Sequence, residues 1–562
     1  MRLAGILLFA SLIASCGGGH DDTTSTAVYS FEQPVRVYTA RKVYTGNPEE
    51  PLASGIVVGE DGRILAILPV DFSGEIFSAS ATPEVISRPD SYMYPGFVDG
   101  HIHFLGIGAR ALQLDFTGTS SIEELQRRLA AEIANTPPGA VIYGGGWIET
   151  GWPEGRMPMA SDLDLVAPNN PVILERTAGH SVVVNSMALE LAGIDADTVA
   201  PSGGAIERTA SGTPNGLLVD NAMRLVAELV TKPSEQTLIA NYTAAADLYI
   251  SRGWTGAHSM SFDPAHAELL QRLSLAGELP LRLHNAVNLD GYEIARDRAF
   301  ETPTITNRAV KISMDGALGS RGALLSKPYA DRPDIVGLSL FEPDQLAALM
   351  ARASEDGVQL AMHAIGDLAN HRILDAFEGG GYGSELRWRI EHAQILKPDD
   401  IQRIADNGLI ASMQTSHAIG DYKFAFERLR AEDLKGAYAW NSLLAAGAVV
   451  VGGSDAPVEL GSPLVEFYAA VARKDLEGYS TPAWAPQERI SREQALSLFT
   501  AAPAYAAFME NDLGTLDVGK IADLTVFDRD IMTVPEQEIL DAAIVLTVVN
   551  GEIVHQSSVG SH

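Results

Sequence analysis

Five short apolar runs in this chain each close on chemically active polar side chains, and they come in a fixed order. PGFVDGHIH carries His101 and His103, RAVKISMD carries Lys311, VQLAMH carries His363, LRWRIEH carries His392 and AVVVGGSD carries Asp455. Three further runs, WTGAHSM, LRLHNAV and LIASMQT, lie between them, and helical stretches such as PDQLAALMARASED and PDDIQRIADNG separate several of the pairs. Short strands alternating with helices are the signature of a parallel sheet. Eight such strands predict an α/β fold, a TIM-like (β/α)8 barrel, with WTGAHSM as its second strand, Lys311 on strand four, His363 on five, His392 on six and Asp455 on eight. Because the carboxyl ends of barrel strands share one rim, side chains that end different runs are brought together there.

Taken singly, each of these histidines reads as a hydrogen-bonded core or surface residue. His101 and His103 stand two apart on an extended run, so both imidazoles point to one side and can reach one ion. Joined by Lys311, His363, His392 and Asp455, they predict a divalent-metal site. Zinc suits a histidine-rich set with one or two carboxylates, and manganese or iron fits the same ligands. A hydrolase is the leading functional reading. A non-catalytic lipoprotein that captures a small molecule in a decayed barrel is the alternative, and it is disfavoured because none of the six residues is lost.

A chain of 562 residues is long enough for a large barrel with attached pieces, and its formal net charge of -32 argues against nucleic acid or anionic lipid as partner. The first residues are expected to lie outside the fold. Arg2 supplies a positive start, LAGILLFASLIA is too short to span a bilayer, and Ile13, Ala14 and Ser15 precede Cys16, the single cysteine of the chain. This resembles a bacterial lipoprotein signal over 1–16, with lipidation at Cys16, export, and anchoring to a membrane with the protein periplasmic or at the cell surface. GGGHDDTTSTA then reads as a flexible tether over 17–27, and a lone cysteine leaves no internal disulfide. Alternating strands around the turn signals GN, EDG and NG place a flanking β-sandwich built from both ends, 28–93 and 511–562, beside a barrel domain over 94–510. An insertion over 104–233, after strand one, is expected to form a lid or substrate-recognition subdomain.

PGFVDGHIH, the ordered Lys, His, His and Asp, and the closing GTLDVGKIADLTVFD resemble the amidohydrolase superfamily of metal-dependent hydrolases. GGGWIETGWPEGRMP, AGHSVVVNSMAL, KISMDGALGSRGALL, HAIGD and SDAPVE are similar to the branch that includes N-substituted formamide deformylase, and the likeness runs from about Val35 to the last strand. One position departs from that branch: Ala178 stands where an aspartate commonly precedes Gly-His, so substrate positioning around His180 is expected to differ.

The resemblance implies hydrolysis of a C–N amide-type bond of an N-acyl or N-formyl amine, with cyclic ureide, imide or ester bonds as the alternative. It implies that His101, His103 and Asp455 hold one ion and His363 and His392 another, an ion lowering the pKa of its water from 15.7 to about 7. Lys311 would carry a carbamate bridging the two, since a buried amine is pushed toward its neutral, CO2-reactive form; the plainer reading is an ammonium paired with Asp315. Asp455 is expected to take the nucleophile's proton and deliver it to the leaving nitrogen. His180 and His417 are expected to contact substrate or oxyanion, Arg321 to clamp a substrate carboxylate or form a loop salt bridge, and Trp147 and Trp152 to line an apolar pocket. His258, His266, His284 and His371 are read as structural.

Overall fold

The computed structural model of the chain describes residues 28–149, 151–176, 181–201, 204–230, 233–481 and 484–557; Cys16, the tether and His180 lie outside the described residues. Two compact units divide it: Met1–Ile102, Tyr249–Asp455 and Glu459–His562 form the first, and His103–Leu248 with Ala456–Val458 the second.

The first unit holds an eight-stranded parallel sheet. Its strands are β1 (Phe97–Ile102), β2 (Trp254–Phe262), β3 (Arg282–Asn288), β4 (Ile305–Ser313), β5 (Gln359–Ala364), β6 (Arg389–His392), β7 (Ile410–Gln414) and β8 (Val449–Gly453), adjacent in sequence order throughout. Each is the run expected from the sequence. Burial on both faces explains why they read as continuous apolar segments rather than alternating ones. Glycines bring β8 back against β1: a Cβ on Gly100 would meet Val451 Cγ1 at 2.3 Å and the Gly452 carbonyl at 2.5 Å, and one on Gly453 would meet the His101 nitrogen at 2.5 Å. Just past β8 the Asp455 N–H donates to the His101 carbonyl at 2.7 Å. Residues with side chains at these two glycine positions would hold the edges apart.

Helices between the strands start and stop where their chemistry directs. The helix Pro343–Asp356 opens with proline at its first position and a Glu342–Gln345 capping box, and closes on Gly357 in the left-handed region. It buries Leu346, Leu349, Met350 and Ala353, the one-sided spacing of an amphipathic helix.

The chain ends join in one seven-stranded sheet, in the order Glu552–Gln556, Ile544–Val549, Leu524–Phe527, Glu84–Pro95, Val35–Tyr44, Leu52–Gly59, Ile64–Leu68. Asn550 and Gly551, both at positive φ, make the tight turn expected of NG. The second layer is smaller than an even sandwich would need: a parallel ribbon of Val28–Phe31 and Glu75–Ser78, whose Tyr29, Phe31 and Ile76 pack against Val35, Val37 and Val57.

The second unit has its own six-stranded sheet, including the antiparallel pair Gly204–Arg208 and Pro214–Asp220, and the helix Ile122–Ile133 capped by Ser121. It extends beyond the expected insertion boundary, to Leu248.

Candidate metal centre

The carboxyl ends of β1, β4, β5 and β6 and the residue two beyond β8 carry His101, Lys311, His363, His392 and Asp455 in the first unit. His101, His392 and Asp455 are buried, and each places one donor atom within 4.8 Å of the others. Lys311 Nζ lies 3.5 Å from His101 Nε2, as does Asp455 Oδ1. The His392 ring is 4.8 Å from that of His101 and 4.4 Å from that of His363, centre to centre. His103 follows β1 directly, just before the helix Phe104–Leu112, and belongs to the second unit.

Two strained backbones serve this arrangement. His392 has φ 74 and Asp455 φ 60, a region that non-glycine residues enter at a cost of order 1–3 kcal/mol each. Both turn a side chain at the point where the strand ends.

The donor set fits a divalent ion. His101 Nδ1 lies 2.6 Å from Glu391 Oε2, and a carboxylate only accepts, so the ring proton sits on Nδ1 and Nε2 keeps its lone pair. Gln414 Oε1 does the same for His392 Nδ1 at 2.7 Å. Pinning one ring nitrogen so that the other faces a metal is the usual support for histidine ligands. His363 Nε2 is buried and makes no hydrogen bond among the described residues, with Asp315 Oδ1 3.5 Å away. All three imidazoles are held neutral: burial, reinforced by the Lys311 charge, lowers His101 to about 4 and His363 to about 3, while burial and the neighbouring histidines hold His392 well below the usual range. Burial lowers Lys311 to about 8 against the pull of Glu391 and Asp455. Asp315 is committed elsewhere, its carboxylate accepting the backbone N–H groups of Leu324, Ile365 and Gly366 at 2.7–3.0 Å. The ammonium–Asp315 pair is therefore not formed.

His417, in the first turn of the helix after β7, stacks on His392 at 6.0 Å and brings Nε2 to 3.7 Å from Asp455 Oδ2. Arg321 is held by Asp331 at 2.5 Å, the loop salt bridge rather than a free clamp. Trp147 and Trp152 correct the sequence expectation. They are 0% and 5% exposed in the hydrophobic core of the second unit, with indole N–H groups donated to the Leu174 and Thr119 carbonyls. A tryptophan whose ring is enclosed and whose N–H is satisfied is packing, not lining a pocket. Glu391 and Gln414 were not singled out in the sequence, although Glu391 adjoins His392 and Gln414 stands three residues before His417.

The family model of the amidohydrolase family matches residues 86–555. The chain belongs to the amidohydrolase family. It is 32% identical over 522 residues to a Bacillus subtilis (strain 168) protein named as the amidohydrolase YtcJ, covering 92% of this chain and 98% of that one. It is 30% identical over 496 residues to N-substituted formamide deformylase of Arthrobacter pascens, covering 84% and 90% of the two chains. Among solved structures, a metal-dependent hydrolase of Pyrococcus furiosus superposes with a TM-score of 0.71 at 27% identity, over 89% of this chain and 100% of that one. The protein is thus a hydrolase of the metal-dependent amidohydrolase type, and a buried His/His/Asp group is available to hold the metal.

Proposed function

We propose that the protein hydrolyses a C–N amide-type bond of an N-acyl or N-formyl amine. The observation that carries this reading is the convergence of His101, His392 and Asp455 donor atoms, with Lys311 and His363 beside them, at one end of the barrel. His101, His363, His392 and Asp455 would hold the divalent ion, zinc on the chemistry of the donors, and His103 joins them by the sequence pattern. When bound, the ion lowers the pKa of water to about 7 and polarises a carbonyl.

The chain's own residues do the rest. Glu391 and Gln414 hold the two imidazoles in the ligating tautomer. Asp455 accepts the proton of the attacking water and delivers it to the departing nitrogen. His417, 3.7 Å from the same carboxylate, is placed to orient that proton or a substrate oxygen. The Lys311 amine, buried and eased toward neutrality, would add to CO2: an N–C bond forms, a proton leaves, and the anionic carbamate supplies the charge that clustered cations require.

A panel of N-formyl and N-acyl amines, cyclic imides and esters, assayed with metal analysis of the same preparation, tests the assignment. Turnover confined to imides or esters would replace the amide reading, and full metal content with no turnover of any class would favour the binding lipoprotein. We also propose export and lipid anchoring through Cys16. The intact mass of membrane-extracted protein decides this, since a chain still carrying Met1 would refute it.

A further inference from the structure

Beneath the metal centre the barrel interior holds a buried ion pair that the reaction does not directly use. Arg389 and Glu391 stand two apart on β6 and so point to the same side; both side chains are 0% exposed, with Arg389 Nε 2.7 Å from Glu391 Oε1. The guanidinium reaches across the barrel. It donates to the Gly100 carbonyl on β1 at 2.7 Å, to Ser412 Oγ on β7 at 2.8 Å and to His258 Nδ1 on β2 at 2.6 Å. The other carboxylate oxygen of Glu391 is the one that meets His101 Nδ1 at 2.6 Å.

A buried ion pair is weak evidence of stability, because desolvating two charges cancels much of their attraction, and apolar replacements are often neutral or stabilising. Something else must explain why two full charges occupy the centre of this barrel. We propose that Glu391 is a positioning residue for His101, and that Arg389 is the clamp that fixes its carboxylate. The anchoring of Arg389 to three other strands sets where the carboxylate can lie. The carboxylate fixes the ring as its Nδ1–H tautomer and aims Nε2 at Asp455 and Lys311. The opposing explanation is charge balance alone, with Glu391 present only because Arg389 is. The inference rests on the metal-dependent reading above, and the test separates the two.

Zinc affinity is measured by chelator competition on wild type, Glu391→Leu and the double variant Arg389→Met/Glu391→Leu, since leucine, unlike glutamine, offers His101 Nδ1–H no acceptor. The single variant leaves a buried guanidinium unpaired and is expected to lose stability. The double variant removes both charges and is expected to regain the wild-type melting temperature while binding zinc 10–100-fold more weakly. A double variant that folds and binds zinc like wild type would overturn the proposal. Wild type with no zinc affinity would instead defeat the metal-dependent reading itself. Should the double variant fail to fold, the wild type still decides: in metal-free protein with 15N-labelled histidine, the His101 signals, assigned by comparison with His101→Asn, should report a protonated Nδ1. A protonated Nε2 would refute the positioning role.

Discussion

Asp455→Asn isolates proton transfer from ligation. The backbone there has φ 60, a conformation asparagine tolerates about as well as aspartate, and the Asp455 N–H bond to the His101 carbonyl at 2.7 Å involves no side-chain atom. The variant should therefore fold like wild type. One carboxylate oxygen lies 3.5 Å from His101 Nε2 and the other 3.7 Å from His417 Nε2. An amide can keep an oxygen on the His101 side, where an ion would be held, and lose only the oxygen that receives and returns the proton. General acid–base help contributes about 10²–10⁴-fold, which is roughly 3–5 kcal/mol of barrier. Turnover on the best substrate of the panel should fall by that factor, with metal content by mass spectrometry changed less than twofold. Asp455→Ala, lacking any oxygen and ill suited to positive φ, should lose metal as well. Undiminished turnover in the asparagine variant would refute the assigned role. Complete metal loss in that variant would make ligation the whole explanation.

Four further outcomes are expected. Lys311→Ala should lose activity and recover part of it with added formate or acetate, to which wild type does not respond; absence of rescue would count against a carbamate. The buried histidines should weaken metal-free protein as pH falls from about 6.5 toward 4: burial lowers His101 to about 4 and His284 and His363 to about 3, and holds His258 and His392 lower than usual, so each takes its proton later in the folded state than in the unfolded. Asp99, Asp315, Asp421, Asp433, Glu459 and Glu466, all raised by burial, act in the opposite sense. The histidine share is therefore read from His284→Gln, whose urea midpoint should rise relative to that of wild type between pH 7 and pH 5; a relative fall would contradict the sign. Gly100→Ala, with its Cβ 2.3 Å from Val451 and 2.5 Å from a carbonyl, should destabilise by at least the 1–3 kcal/mol typical of overpacking, read as a lowered melting temperature; an unchanged one would refute the closure argument. Trp147→Ala should cost about 3–5 kcal/mol of stability, whereas a change in KM with none in stability would restore the pocket role.

The eight barrel strands were legible because each is a buried parallel strand, and such strands must be short, apolar and bounded by polar residues. The residues that end them were legible for the same reason: a histidine, lysine or aspartate that interrupts an apolar run stands where the strand leaves the core. What such a run conceals is which side chains face inward. In LRWRIEH, Arg389 and Glu391 occupy alternate positions and point into the barrel, while His392 lies at its rim with φ 74. A charged pair two apart inside an apolar strand was the available signal for Glu391, since neither charge can be buried without the other. Gln414 left no comparable mark, because a neutral amide at a strand end has many ordinary uses.

Trp147 and Trp152 went unresolved for a different reason. A tryptophan enclosed in a core and one lining a pocket carry the same sequence signature, and only the partner of the indole N–H distinguishes them. Here both partners are backbone carbonyls within the same unit. The flanking sheet illustrates a third gap. Hairpin spacing specified the antiparallel pairs, yet the parallel pairing of Val35–Tyr44 with Glu84–Pro95 joins segments some forty residues apart, and no local turn encodes it. The chemistry was therefore most readable where one strand delivers one ligand, and least readable where a side chain acts through another: His101 is named by its motif, but its tautomer is set by a carboxylate 290 residues later in the chain.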